Sequence, residues 1–470
     1  MFFAILPLLI FIIFRYPVFA MNIDEAGQYW MALGQNHFTP FYSESKGLSV
    51  VISQNNAHNL DPGGFTYILH YWLMVSHHYL WIKLLPMIFF IGFIIYLVKF
   101  LRLFLNKDDE FIALLIIPIL FISNALPFYG VLLRAYSMEY LGIIITLYYL
   151  FSTKIPENFY LKAGIICSLF LWSRYGFGIH ILALYLVSLV KFKTLYDIKL
   201  FFKNSLYFGI PILISIICIF FITLKYQFIK PTYNPSYLRY ISDGDIRKAF
   251  ELIYLQVASF INIPLITLII SGFVIKKFKV FNEIHILYFS PIKLLIIYFG
   301  FYHLINFVLS YLGLYPYSTK SYNSKQFEFF NILSIFFLAI ILIGYFQKFK
   351  TFTVVLIVVV GIYLSINKRD IGENNLLYVL NKYNTDAGLY ISKCNYPTTR
   401  YLIEEKMFIP KYNSVNIYHS DSLLKSGSII IYNESEHIYF GKADFDSSFK
   451  KLESLNSKKP SYNSEVYIKK

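Results

Sequence analysis

Charge is scarce in this chain. Asp, Glu, Lys and Arg make up 15% of its 470 residues, against 57% hydrophobic residues. Soluble domains carry roughly 25% charged residues, so a soluble globular protein of this length is excluded. Cysteine is almost absent. Cys167 and Cys218 fall in apolar segments and Cys394 stands alone, which leaves no intramolecular disulfide framework and no metal-ligand spacing. Internal repeats are missing, and the last hundred or so residues hold no Gly-rich phosphate loop. Acidic residues are the rarer sign, 27 against 42 Lys and Arg, for a formal net charge of +15. That excess does not point to nucleic acid. Most of the basic residues sit in short connections between apolar runs, where they set membrane topology, or in a basic tail. The aromatic content of 20% reads as compositional bias rather than a binding device.

What the chain has in abundance is long hydrophobic runs. Its mean hydropathy is +0.55. Leu206 to Leu224 and Phe329 to Phe346 are uncharged over about the 20 residues that span a hydrocarbon core as helix. Backbone polar groups inside lipid must be satisfied within their own segment, so repeated runs of this kind predict a mostly α fold, a polytopic bundle of transmembrane helices. About eleven spans are expected, near 2–20, 82–100, 111–129, 136–152, 160–174, 176–191, 204–224, 253–275, 291–312, 328–346 and 350–366. The pair around Arg174 also reads as a helical hairpin. Residues 65–79 are apolar on one side but short, which predicts a helix lying in the membrane interface. The first run lacks a basic n-region, so an uncleaved first helix is expected rather than a signal peptide ending at Ala20.

Every second connection is basic: Lys99 to Lys107, Lys154 and Lys162, Lys191 to Lys203, Lys276 to Lys279, then Lys348 and Lys350. Those connections are expected in the cytoplasm. The loops at 21–81, 225–252 and 313–327, and the tail after 366, then face outward. From about Asn367 charges become frequent. Strand-like runs at Gly388–Ser392 and Ser428–Tyr432 alternate with helix-like stretches at Asn374–Tyr383 and Thr399–Glu405. The expected organisation is a membrane domain over 1–366, with a large first extracytoplasmic loop at 21–81, and a small α/β domain over 367–470. Asn433-Glu434-Ser435 matches a glycosylation sequon, a motif short enough to occur by chance.

The residues able to carry chemistry gather at the outward ends of the spans. Asn22-Ile23-Asp24-Glu25 follows the first run and opens a segment of helical spacing. Asp24 can cap that helix and Glu25 can favour its first turn; the same pair of carboxylates can serve acid–base chemistry. Asp61-Pro62-Gly63 is a turn in its own right. It leads into Phe65, Tyr67, His70, Tyr71 and Trp72, which suit an interfacial helix. Arg134 is the one basic residue of the next outward turn, and Trp172-Ser173-Arg174-Tyr175 repeats the situation. A guanidinium offers a fixed fork of donors that matches a phosphate, but an arginine at a helix end can also simply snorkel.

The order of these features resembles the GT-C superfamily of membrane glycosyltransferases, in particular the branch of protein O-mannosyltransferases and lipid A aminoarabinose transferases. The likeness rests on the first helix followed by Asp24-Glu25, the Pro-containing turn at Asp61-Pro62, the element Leu69-His70-Tyr71-Trp72, the basic end of the second span and Arg134-Ala135-Tyr136. It covers about residues 1–192 and beyond them is topological. Pro62-Gly63 stands where the family usually has Pro-Pro, and Leu132 where a Glu is common. The resemblance implies transfer of a sugar from a polyprenyl-phosphate donor to a lipid, glycan or protein acceptor during cell-surface synthesis. The expected setting is the plasma (inner) membrane of a bacterium, with the site facing outward. Asp24 would be the base, with Glu25 and Asp61 shaping the site. Arg134 and Arg174 would hold the donor phosphate, with Tyr67, His70 and Tyr136 meeting lipid or sugar. No cofactor is expected, and a divalent cation held by the carboxylates ranks second because the donor has a single phosphate. The alternative reading is a polysaccharide polymerase, ligase or flippase-like transporter. Transporters often carry charge within their spans, whereas these spans read as nearly charge-free.

Overall fold

The computed structural model describes residues 2–15, 21, 23–36, 46–59, 61–105, 107–121, 130–227, 244–248, 250–251, 291–311, 324–345, 350–367, 375–383, 389–392, 395–404, 415–418, 424, 426–433, 445, 448–455 and 464–470. The chain opens with α1 (Phe2–Ile10), which runs on as π-helix over Phe11–Arg15. Next come α2 (Ile23–Ala32), α3 (Leu48–His58), α4 (Gly64–Leu73) and α5 (Tyr79–Arg102). A 3-10 turn over Lys107–Leu115 leads into the short α6 (Ile116–Leu120). The bundle continues through α7 (Tyr136–Ser152), α8 (Pro156–Phe170), α9 (Phe177–Phe192) and α10 (Ile198–Ile222). It ends with α11 (Pro291–Tyr311), α12 (Ser324–Tyr345) and α13 (Lys350–Asn367).

Among the described residues, three helices can cross a membrane by length and composition: Tyr79–Arg102, Ile198–Tyr226 and Pro291–Leu309. Shorter apolar helices accompany them at Glu110–Leu120, Phe177–Phe192, Ile332–Ile341 and Thr351–Ser365. The chain is an integral membrane protein with a mostly helical fold. The span expected at 253–275, the second half of the one at 111–129, Cys394 and most of the sequon lie outside the described residues. Helix α4 stops at Leu73, short of the expected 79, because His78 accepts a hydrogen bond from the Leu80 amide (3.3 Å) and starts α5 there. Ile68, Tyr71 and Val75 form an exposed apolar edge on α4 and the turn after it, the pattern of a helix lying along a membrane surface. The polar helix α3 was not anticipated.

Local signals explain the other boundaries. Pro156 opens α8, where its missing N–H costs nothing. Asp197 caps α10 by accepting from the Lys199 and Leu200 amides (2.9 and 3.2 Å). Buried Lys191 of α9 donates to the carbonyls of Leu150 and, at 2.6 Å, of Thr153, closing the C-terminal end of α7. Deeper in the bundle, His180 of α9 meets the hydroxyls of Thr146 and Tyr298, each at 2.6 Å, and so ties α7, α9 and α11 together. Such side-chain bonds join helices where lipid supplies no hydrophobic drive.

Beyond α13 come α14 (Asn375–Lys382), β1 (Leu389–Ile391), α15 (Tyr396–Glu404), β2 (Val415–Ile417), β3 (Ile429–Asn433), β4 (Phe449–Leu455) and β5 (Ser464–Lys469). The strands form one sheet in the order β2-β1-β3-β5-β4. β1 runs parallel to β2 and β3, and β5 antiparallel to β3 and β4. Alternation along β3 sends Ile429 and Ile431 to the face covered by α14 and α15, and Ile430 and Tyr432 to the other.

The connection before α4 is where two glycines matter. Gly63 sits at φ 95°, a left-handed conformation that glycine adopts without penalty. Gly64 lies against the turn between α8 and α9, donating its N–H to the Trp172 carbonyl at 2.9 Å. A Cβ on Gly64 would stand 2.6 Å from the Trp172 Cβ and 2.7 Å from its carbonyl oxygen. Gly64→Ala is therefore expected to cost about 1–3 kcal/mol, read as a lower thermal unfolding midpoint in detergent. Gly209→Ala on α10, where a Cβ meets nothing within 4 Å, is the control expected to be neutral or slightly stabilising.

Candidate active site

Four connections meet at one end of the helix bundle: the start of α2, the turn before α4, the turn before α7 and the turn between α8 and α9. They carry Asp24, Asp61, Arg134 and Arg174. Helix α2 begins one residue before Asp24, so both carboxylates stand in its first turn, where the helix dipole favours negative charge. From there they diverge. Asp24 is exposed and Glu25 is fully buried. The Glu25 carboxylate pairs with Lys83 of α5 and also accepts the Leu133 amide at 2.9 Å. Glu25 thus holds the backbone of the turn that carries Arg134.

Arg174 is held from two sides. Its Nη1 donates to Glu139 of α7 at 2.9 Å, and its Nε lies 3.4 Å from the Asp61 carboxylate. The guanidinium also stacks over the Tyr136 ring, 4.7 Å from its centre. The Asp61 backbone is fixed as well: its carbonyl accepts from Gln227 (2.9 Å) and Asn55 (3.2 Å). Tyr175 completes the frame with a 2.7 Å bond to Gln227. Burial and the Asp61 charge keep the Tyr175 phenol above its ordinary range, against the opposing pull of Thr223, so it stays a neutral donor. A buried polar chain runs beneath. Gln28 donates to Thr66 (2.6 Å), and Thr66 donates to Asn55 (2.9 Å).

Arg134 is the exception to this pairing. It is half-buried, and among the described residues no carboxylate lies within ion-pair distance of its guanidinium. Burial works against its charge, but the fields of Asp24, Tyr136 and Asp61 outweigh that, while Arg174 opposes them; the net result holds Arg134 above its ordinary value. It is a permanently charged fork of donors, reached by the fields of two carboxylates, with donor capacity for an anion.

Of the aromatic contacts expected, Tyr136 lies in the cluster beneath Arg174. Tyr67 is beside it: its hydroxyl is buried next to Gly63 and, among the described residues, has no hydrogen-bond partner. Burial first, and the neighbouring Tyr175 second, push that phenol well up. His70 is buried with Nδ1 bonded to the Ala32 carbonyl at 2.8 Å, so it joins α4 to α2. Glu25 is likewise engaged by Lys83 and Leu133 and stands as a support for the site. Among the described residues no group of three or more His, Cys, Asp and Glu side chains is arranged to hold a metal ion.

No family model matches this chain, and no curated protein matches it by sequence. Among solved structures it is similar to the crystal structure of ArnT from Cupriavidus metallidurans bound to undecaprenyl phosphate. The likeness covers 99% of this chain and 97% of that one, at a TM-score of 0.41 and 12% sequence identity. At that score it carries no weight for function.

Lys83 and Glu139 were missed by the sequence reading, which took the spans as nearly charge-free. Both are buried charges inside apolar helices, and an ionisable residue inside a span is itself a signal. The Glu25–Lys83 pair has a testable signature. Glu25→Gln or Lys83→Met alone leaves one buried charge uncompensated and is expected to cost about 3–5 kcal/mol. The double variant should recover most of that loss in thermal unfolding. Single variants as stable as the parent would remove the pair as a structural element.

Proposed function

We propose that this protein is a glycosyltransferase of the membrane, moving a sugar from a polyprenyl-phosphate donor to an acceptor hydroxyl outside the cytoplasm. The observation that carries the reading is the pairing of an exposed carboxylate, Asp24, with a guanidinium left without an ion-pair partner among the described residues, Arg134. The sequence resemblance to GT-C enzymes supports it, as does the alternation of basic connections, which puts these turns on the outer side. Nucleotide sugars are not available there, so a membrane-soluble donor is required.

In this scheme the donor phosphate sits on Arg134 at the membrane edge. Asp24 takes the proton of the acceptor hydroxyl as its oxygen attacks the anomeric carbon. The bond between that carbon and the phosphate oxygen breaks, a glycosidic bond forms, and polyprenyl phosphate leaves with both bonding electrons. Arg134 stabilises the charge that grows on the leaving oxygen. Phosphate needs little protonation to leave, so the base is the group most demanded of the protein, worth about 10²–10⁴-fold in rate. Arg174, already shared by Glu139 and Asp61, steadies the turn and adds positive field. Asp61 faces the acceptor side, and Tyr67 and Tyr136 line the approach.

The test is transfer of labelled sugar from synthetic polyprenyl-phosphate donors by purified protein in detergent. Asp24→Asn is expected to lower kcat about 10²–10⁴-fold while donor binding persists. Arg134→Ala should lower kcat/KM for the donor about 10²–10³-fold. Full activity in Asp24→Asn would remove Asp24 as the base. Absence of turnover by the unaltered protein with every donor and extract-derived acceptor would favour a polymerase, ligase or transporter instead.

A further inference from the structure

A contact between residues more than 360 positions apart reaches the site through α2. Helix α15 lies against α2, and Arg400, only 2% exposed, stacks its guanidinium 3.8 Å from the centre of the Trp30 ring. The same guanidinium bonds the Gln35 side chain and reaches the Asn36 carbonyl at 3.4 Å. Trp30 returns the contact by donating its indole N–H to the Pro397 carbonyl at 2.9 Å. Thr398 donates to the Met21 carbonyl (3.3 Å), just before α2 begins. Tyr401 packs edge-on against Tyr29 at 5.0 Å and donates to the His77 carbonyl at 3.3 Å. His77 in turn shares a 2.8 Å bond with the Tyr29 hydroxyl. These contacts hold the far end of α2 and Met21, two residues before its start.

We infer that Arg400 is a positioning residue for the reaction, setting the tilt of α2 and through it the place of the Asp24 carboxylate. The inference rests on the reading of Asp24 as the base. Asp24 is exposed, so the pose of its helix decides where the carboxylate stands. Glu25 pins one turn of α2 to α5 and to the Arg134 turn. A second fixed point is needed to define a direction, and the Arg400–Trp30 stack supplies it. With the Glu25 carboxylate as the pivot, the Asp24 carboxylate, about 100° away around a helix about 10–12 Å across, stands about 8 Å from the anchor. A swing of about 7° then moves it by about 1 Å, a displacement able to cost about 10²-fold in rate. The C-terminal α/β unit is thereby a part of the catalytic machinery.

The test uses the full-length chain carrying Arg400→Met, which loses the stack and the hydrogen bonds, and Arg400→Lys, which keeps the charge without the planar fork. Arg400→Met is expected to lower single-turnover rate about 10–100-fold, with donor affinity and binding stoichiometry within about twofold of the parent and Arg400→Lys in between. A loss of rate matched by a loss of binding stoichiometry would mark Arg400 as merely structural and overturn the inference. A second readout needs no activity. Asp24→Cys in a chain with Cys167, Cys218 and Cys394 replaced by Ser is labelled with a membrane-impermeant maleimide, with and without Arg400→Met. The labelling rate is expected to change about threefold or more, and an unchanged rate overturns the inference. Because this arm is independent of turnover, failure of the glycosyltransferase reading and failure of the positioning role are told apart. Where Arg400→Met does not fold, Arg400→Lys and Gln35→Ala carry both readouts.

Discussion

A single buried carboxylate, that of Glu25, organises this end of the molecule. Removing an ion from water costs several kcal/mol even after the surroundings relax, and an apolar helix bundle offers nothing to offset it except a partner of opposite charge and oriented dipoles. Lys83 and the Leu133 amide are those partners. Each comes from a different element, so satisfying one carboxylate fixes α2, α5 and the turn before α7 relative to one another. The alternatives are costly: any movement that separates the three strands an uncompensated charge among Phe65, Leu69, Ile82 and Leu133. A turn that would otherwise be a loose connection between two spans becomes a defined platform for Arg134.

Arg174 applies the same logic one turn away. It is claimed by a buried acid, Glu139, and by a half-buried one, Asp61, and its planar face rests on Tyr136. A guanidinium so engaged already has carboxylate counter-ions from the protein itself. The two arginines of the cluster are therefore not equivalent, although each sits at a turn between apolar runs and looks alike in the sequence. Arg174 joins the turn before α4 to α7, while Arg134 keeps its donors. Three of the four carboxylates are spent in the same way, since Glu25, Glu139 and Asp61 all face cations of the protein.

What could be read from the sequence follows from how local its causes are. Asp24, Asp61, Arg134 and Arg174 stand at the ends of apolar runs, where a charge interrupts the hydropathy pattern, and the structure brings all four together. The pairs Asn375–Lys382 and Leu389–Ile391, then Tyr396–Glu404 and Ile429–Asn433, fall where periodicity placed helix and strand. Lys83 and Glu139 were passed over because one charge in a long apolar run barely alters its mean hydropathy. Strands β4 and β5 hid behind lysines and glutamate, with Lys451 pairing Glu465 across the ladder, so no clean alternation marked them. Helix α3 is too polar to announce a core face and is held by Asn55, which donates to the Asp61 carbonyl and accepts from Thr66 of α4. The contact between Arg400 and Trp30 had no local trace, because residues so far apart in the chain are joined by folding alone.

One regularity links these points. Within this cluster the deepest charges, Glu25, Lys83 and Glu139, are neutralised by the protein itself, where an unpaired ion would be prohibitive. The charges it leaves open lie where water reaches them: Asp24 in full and Arg134 in part. An exposed carboxylate costs the fold little, and the half-buried Arg134, which has no carboxylate at ion-pair distance among the described residues, has the cost of its burial outweighed by the fields of Asp24, Tyr136 and Asp61. A fold selected for stability alone would close that gap with a carboxylate at contact distance, as it has done for Arg174. On the proposed reading, an anionic ligand at Arg134 supplies the contact that Glu139 and Asp61 supply to Arg174.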